Sequence, residues 1–170
     1  MDLKAYVRDI PDWPKEGVMF RDITPLLADA KSFKYAIDAI AGHYEGKQID
    51  AILGAEARGF ILASALAYAL DCGFIPARKP GKLPYNTCKA QYELEYGFDS
   101  LEMHEDAIKK GQNILVVDDV IATGGTAAAK IELVELLGGN VVGIAFLIEL
   151  LFLNGRSKLN GRDIFSLITY

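Results

Sequence analysis

The chain has 170 residues, 51% hydrophobic and 24% charged, enough for a substantial core and too apolar for a disordered polypeptide. Its net charge of -5 argues against a nucleic-acid partner, which would need a basic field. Cys72 and Cys88 lack metal or disulfide-framework spacing and suggest a reducing cytoplasm. The charged start, with Asp2, Lys4, Arg8 and Asp9, does not read as a signal peptide. The longest apolar runs, Gly59 to Leu70 and Ala145 to Leu153, are too short to span a bilayer. One domain covering residues 1–170 is expected.

In chain order, Asp2 to Val7 predicts a short helix that Pro11 and Pro14 end. In Gly17 to Pro25 an apolar triplet, Val18-Met19-Phe20, meets Arg21-Asp22, and Thr24-Pro25 can open a helix. Met19 and Phe20 could fill core or cover one face of a flat ring. Asp29 to Tyr44 predicts an amphipathic helix, with Phe33, Ile37, Ile40 and Tyr44 on one face. His43 near its end reads as a helix-terminal cation or a surface residue.

Ile49 to Leu53 predicts a short buried strand, followed by a Gly-rich turn, Gly54 to Phe60, and a helix to about Leu70. Arg58 falls at that helix N-terminus, where a cation opposes the helix dipole. Its position suggests either a bound anion or a structural salt bridge. Gly73 to Ala77 predicts a third strand that delivers Arg78, Lys79 and, past Pro80-Gly81, Lys82. These cations form either a polyphosphate site or a solvated basic turn. Pro80 to Lys89 reads as mobile. Gln91 to Tyr96 alternates as a strand, so that residues of about 80–97 predict a flexible β-arm able to close as a lid. Gly97 to Lys110 reads as a polar linker with helical tendency and an exposed His104.

The richest stretch is Ile114 to Thr126. Ile114 to Val117 predicts a strand buried on both faces, ending at Asp118 and Asp119. A turn follows, Ala122-Thr123-Gly124-Gly125-Thr126, and then a helix from about Gly125 to Leu137. The turn can converge backbone N–H groups and two hydroxyls on one phosphate at a helix N-terminus. It is not a Walker A loop, since no Lys comes before Lys130. Paired acids beside a phosphate cradle suit hydroxyls or a metal, as a sugar phosphate would supply. Alternatively they are turn and cap chemistry. Val141 to Ile148 and Ile164 to Ile168 predict further strands, with a turn of helical tendency at Asn154 to Leu159. Alternating strands and helices predict an α/β fold with a mostly parallel sheet and ligand at the strand C-terminal ends.

Val116 to Thr126 resembles the 5-phosphoribosyl 1-pyrophosphate (PRPP) signature of type I phosphoribosyltransferases. Gly17 to Pro25, Gly54 to Phe60, Gly81 to Pro84 and Tyr92 to Gly97 resemble the adenine phosphoribosyltransferase family in order and spacing. The resemblance implies a type I phosphoribosyltransferase fold with a small N-terminal hood at about residues 1–30. It implies a purine-salvage glycosyltransferase converting adenine and PRPP to AMP and pyrophosphate. By that resemblance Met19, Phe20 and Arg21 hold adenine, with Phe20 stacked on its ring. Asp118 and Asp119 hold the ribose hydroxyls, and Ala122, Thr123, Gly124, Gly125 and Thr126 the 5′-phosphate. Glu56, Ala57, Arg58, Arg78, Lys79 and Lys82 hold pyrophosphate, with a cis peptide at Glu56–Ala57. Arg58 and Glu95 are the implied catalytic residues, Glu95 handling the purine proton. Ala122 stands where the hypoxanthine–guanine branch has an Asp, which disfavours that branch. The resemblance also implies Mg²⁺ carried on PRPP rather than by the protein, and a homodimer. It implies no nucleic-acid or membrane partner.

Overall fold

A computed structural model describes residues 1–94, 97–159 and 161–170. After a 3-10 turn at Leu3–Tyr6, strands β1 (Arg8–Ile10) and β2 (Phe20–Asp22) form a small antiparallel pair. Helix α1 (Thr24–Ala28) follows, with Pro25 in its first turn, where a missing N–H costs nothing. Helix α2 (Ala30–His43) is capped by Asp29, whose carboxylate accepts the Ser32 N–H at 2.8 Å. Then come β3 (Ala51–Ala55), α3 (Arg58–Ala69) and β4 (Gly73–Ala77). A hairpin of β5 (Thr87–Glu93) and β6 (Phe98–His104) leads to β7 (Asn113–Ile121) and α4 (Gly125–Leu136). Strands β8 (Asn140–Glu149) and β9 (Ile164–Thr169) close the chain, joined by two 3-10 turns, Leu151–Leu153 and Gly155–Leu159.

The main sheet has order β4-β3-β7-β8-β9 and is parallel throughout. Strand β7 is its centre, and period-2 alternation sends its side chains to opposite layers. Ile114 and Val116 join one core with α4 and the hairpin; Leu115 and Val117 join the other with α1, α2 and α3. Burial on both faces is why this run is continuously apolar. The β7–β8 register shifts between Ile114 and Leu115, bringing Leu115 opposite Gly143. A Cβ on Gly143 would lie 2.4 Å from the Tyr44 ring, so the glycine lets that ring lie against the sheet. The buried Tyr44 hydroxyl donates to the Ile144 carbonyl at 3.0 Å. No helix among the described residues is long and apolar enough to cross a membrane.

The structure corrects the sequence reading between residues 97 and 110. The expected helical linker is strand β6, paired antiparallel with β5 along its length, and Glu102 bridges back to Arg78. The signal was the alternation of Leu101 and Met103, both buried, with the half-exposed Glu102 and His104. Ala90, Leu101 and Met103 belong to the core beneath α4, so the body of the arm is anchored there. His104, expected to be exposed, is half-buried, and its Nε2 accepts the Tyr85 N–H at 3.4 Å. His43 is exposed in the last turn of α2 and stacks on Phe165 at 4.2 Å. Strand β7 also outlasts its apolar run. Pairing with β8 carries it through Asp118 and Asp119 to Ile121, so both acids are strand residues.

Candidate active site

The C-terminal ends of β3, β4 and β7 open onto a cleft of about 510 Å³. Its lining includes Glu56, Ala57, Arg58, Lys79, Tyr92, Asp118, Asp119, Ala122 and Thr126. A separate cup of about 80 Å³ is lined by Val120 to Ala127, the turn between β7 and α4. The turn is possible because Gly124 takes a left-handed φ of 83° at the cap of α4. Its neighbour Gly125 lies under the end of β5, where a Cβ would be 3.4 Å from the Glu93 carbonyl. The turn between β7 and α4, the paired acids and the hairpin thus meet at one edge of the sheet.

The two acids have different surroundings. Lys130, fully buried on α4, donates from Nζ to Asp118 Oδ2 at 2.5 Å and to the Val117 carbonyl at 3.1 Å. Asp118 Oδ1 accepts the Asp119 N–H at 3.0 Å. Gly59 leaves space for that oxygen, since a Cβ there would sit 2.6 Å from it. Asp119 meets Arg58 instead, whose Nε lies 2.7 Å from Asp119 Oδ2. That ion pair is not aligned as a hydrogen bond, and Asp119 Oδ2 is buried without a hydrogen-bond partner. Burial, and then the neighbouring Asp118, push the Asp119 carboxyl well above the usual carboxylate range, against the pull of Arg58 and Lys130.

The hood connects through the same arginine. The Arg58 guanidinium lies 4.8 Å over the Phe20 ring, whose other neighbour is Trp13, edge-on at 4.4 Å. Met19 is exposed, and Arg21 pairs with Asp9 and stacks at 3.8 Å on Tyr170. Asp22 turns away from the cleft to accept the Thr24 N–H at 2.9 Å and its hydroxyl at 2.8 Å. Phe20, Arg58 and Asp119 therefore form a continuous path from hood to cleft.

The basic cluster is divided. Arg78 donates to Glu56 Oε2 at 3.0 Å, and the Lys79 N–H donates to Glu56 Oε1 at 2.7 Å. The Arg78 bond holds the Glu56 carboxyl below its ordinary range. The Lys79 ammonium reaches into the cleft, pairing with Asp99 and donating to the Tyr92 hydroxyl at 2.8 Å. Lys82 lies on the exposed turn beyond Gly81, outside the cleft lining. The Glu56–Ala57 peptide is cis. Glu95 lies outside the described residues.

Sequence reading missed four contributors: Lys130, Gly59, Tyr92 as a cleft residue, and Asp99. Lys130 left a trace, a lone cation in the apolar helix Ala127-Ala128-Ala129-Lys130-Ile131. The others depend on approaches between distant segments. Among the described residues no group of three or more His, Cys, Asp or Glu could hold a metal ion.

With this geometry in place, the chain can be set beside known proteins. The phosphoribosyl transferase domain family matches residues 24–163. The adenine phosphoribosyltransferase of Brachyspira hyodysenteriae is 59% identical over 170 residues, covering all of both chains. The crystal structure of adenine phosphoribosyltransferase from Thermoanaerobacter pseudethanolicus superposes with a TM-score of 0.97 at 55% identity, covering 99% of this chain and 98% of that one. The Saccharomyces cerevisiae adenine phosphoribosyltransferase, crystallised with an imino-altritol bisphosphate and adenine, gives 0.94 at 46% identity, covering 98% and 96%. A parallel α/β sheet, a Gly/Thr turn behind paired acids and full-length identity above one half lead to one assignment: the chain belongs to the adenine phosphoribosyltransferase family.

Proposed function

We propose that the chain is a pentosyltransferase of purine salvage that joins adenine to the phosphoribosyl group of PRPP, giving AMP and pyrophosphate. The observation that carries this reading is Asp118–Asp119 at the end of β7, with the Thr123–Thr126 cup immediately beyond and the Phe20 hood reached through Arg58. Asp118 and Asp119 accept hydrogen bonds from the ribose hydroxyls. The turn from Ala122 to Thr126 donates backbone N–H groups and hydroxyls to the 5′-phosphate. Phe20 stacks on adenine, and the backbones of Met19 and Arg21 read its hydrogen-bonding edge.

Adenine N9 attacks C1 of the ribose as pyrophosphate departs, through a state with oxocarbenium character. Charge then builds on the leaving group, and stabilising it is the main electrostatic task. Arg58 and Lys79, which line the cleft, are assigned to pyrophosphate together with Arg78, Lys82 and the Glu56–Ala57 segment. Arg58, Arg78 and Lys79 are paired with Asp119, Glu56 and Asp99. The arriving anion therefore replaces carboxylates as the partner of Arg58 and Lys79. Remote anchoring of phosphate and ribose orients the reacting carbon. Glu95 is assigned the contact to purine N7 that assists loss of the N9 proton. Closure of the arm at about residues 80–97 is assigned the exclusion of water that would hydrolyse PRPP. Mg²⁺ is assigned to the substrate, carried on PRPP oxygens and water, where it would screen the pyrophosphate charge.

A homodimer belongs to the same proposal, supported by the exposed apolar groove between α2 and α3 that includes Phe33, Ile61 and Tyr68. Two cysteines outside any disulfide support a reducing, cytoplasmic setting. The test is to supply PRPP and Mg²⁺ with adenine, hypoxanthine, guanine or xanthine in turn and follow pyrophosphate release. Release with adenine alone is expected. Release with another base would discard the Phe20 hood assignment. PRPP binding without release for any base would replace the enzyme by a PRPP-sensing regulator.

A further inference from the structure

We infer that Lys130 is a positioning residue for PRPP, acting through Asp118 from inside the protein. Adjacent carboxylates in a buried site repel each other, and burial disfavours the charge on both. Asp118 is 9% and Asp119 is 7% exposed, yet the proposed function needs both as acceptors for ribose hydroxyls. Each acid has its own cation. Arg58, whose side chain is 36% exposed at the cleft, can leave Asp119 for an arriving anion. Lys130 cannot leave Asp118, because its side chain is fully buried and is held a second time by the Val117 carbonyl. One acid thus has an exchangeable counter-ion and the other a permanent one.

The permanent pair sets both geometry and charge. Lys130 takes Asp118 Oδ2, and the Asp119 N–H takes Oδ1, so the carboxylate is locked in a single rotamer against Gly59. When Arg58 turns to pyrophosphate, Lys130 is the cation that remains within the acid pair and keeps it able to accept hydroxyl protons. Without it, two neighbouring carboxylates would share a buried site with no fixed positive charge, and binding of the anionic substrate would weaken. The residues flanking Lys130 on α4, Ala127, Ala128, Ala129 and Ile131, are apolar, and Lys130 is the one cation of that helix, so no neighbour on it can substitute.

This inference rests on the proposed PRPP site, and the experiment separates the two. Direct calorimetry with PRPP and Mg²⁺ is done first on the unaltered protein, where absence of binding would overturn both. The variant is Lys130→Met, which keeps length and removes charge. The expected result is a rise of about tenfold in the KM for PRPP, with the KM for adenine and kcat changed less than about threefold. Combined with Asp118→Asn, Lys130→Met should add less than about twofold, because its target is already neutral. An unchanged KM for PRPP, or an equal further rise in the Asp118→Asn background, would overturn the inference. If Lys130→Met alone is insoluble, the Asp118→Asn/Lys130→Met double variant leaves no unpaired buried charge and should fold. Its failure to fold would assign Lys130 to packing instead.

Discussion

At the residue scale, the site depends on what is missing as much as on what is present. Gly59 opens α3 beside β7, and its lack of a Cβ is what lets the Asp118 carboxylate stand where Lys130 and the Asp119 N–H hold it. A methyl group there would lie 2.6 Å from Asp118 Oδ1, well inside van der Waals contact. The carboxylate cannot easily retreat, being bonded on both oxygens. Gly59→Ala should therefore turn Asp118 or push α3 outward, at a stability cost of about 1–3 kcal/mol. Under the proposed function it should raise the KM for PRPP more than that for adenine. Steady-state kinetics with each substrate varied in turn checks this, and equal effects on both would point to a general loosening. The meeting of the paired acids with the Gly/Thr turn at a strand end was legible because the residue types and spacing of strand, turn and helix mark it. Gly59 was read only as part of a Gly-rich turn, since nothing local marks which glycine faces a carboxylate from another strand.

At the element scale, the phosphate turn is shaped from behind by the segment between β8 and β9. A Cβ on Gly124 would fall 2.3 Å from the Gly155 carbonyl oxygen, and one on Gly155 would fall 2.4 Å from the Ala122 carbonyl oxygen. Two backbones are thus in direct contact, and the position of the turn follows the position of the segment. The segment is tied down by Arg156, whose Nε and Nη2 each donate at 2.6 Å to the buried Glu149 at the end of β8. A bidentate pair of this kind fixes orientation as well as distance. Arg156→Ala would leave the Glu149 carboxylate buried without its main partner. The expected loss is about 1–3 kcal/mol, discounted because the Arg156 side chain is half-exposed. The phosphate turn should shift with it, raising the KM for PRPP about threefold or more; thermal melts and kinetics on the same preparation report both effects. Glu149 was visible in the sequence as an acid within an apolar run, but its partner was not. The turn at residues 154–159 was read correctly as local structure. Its approach to the phosphate turn, some thirty positions earlier, exists only once β7 and β8 are neighbours. The β5–β6 hairpin failed in the sequence for a related reason. Its polar Asp99, Ser100, Glu102 and His104 outweighed Leu101 and Met103, whose burial depends on α4 lying across them.

At the scale of the whole molecule, six carboxylates among the described residues fall into two groups with opposite responses to pH. Five are held below their ordinary range: Asp22 by the Thr24 N–H, Asp29 by the Ser32 N–H, Glu56 by Arg78, Asp99 by Lys79 and Glu149 by Arg156. For these the unfolded chain binds protons first as pH falls. Their stabilisation is complete above the unfolded value near pH 4 and is lost as pH drops through the folded values. Asp119 is raised by burial and by Asp118, so its native form binds a proton that the unfolded form has already released. Its contribution has the reverse sign. It is present below the unfolded carboxylate value and is lost as pH rises through the raised folded value. The expected melting profile of the ligand-free protein is a maximum in the mildly acidic range, with an acid limb falling by about 5 °C or more toward pH 3 and a gentler decline on the alkaline side. Asp119→Asn separates the two limbs. It should leave the acid limb in place and flatten the alkaline decline, so that the variant gains in Tm relative to the unaltered protein as pH rises from 5 to about 8. The same variant should bind PRPP more weakly, which identifies the acid as kept for its ligand at a cost to the fold. If the Tm difference between variant and unaltered protein does not change with pH, Asp119 is ionised throughout that range. Arg58 would then be a full counter-ion to it rather than an exchangeable one.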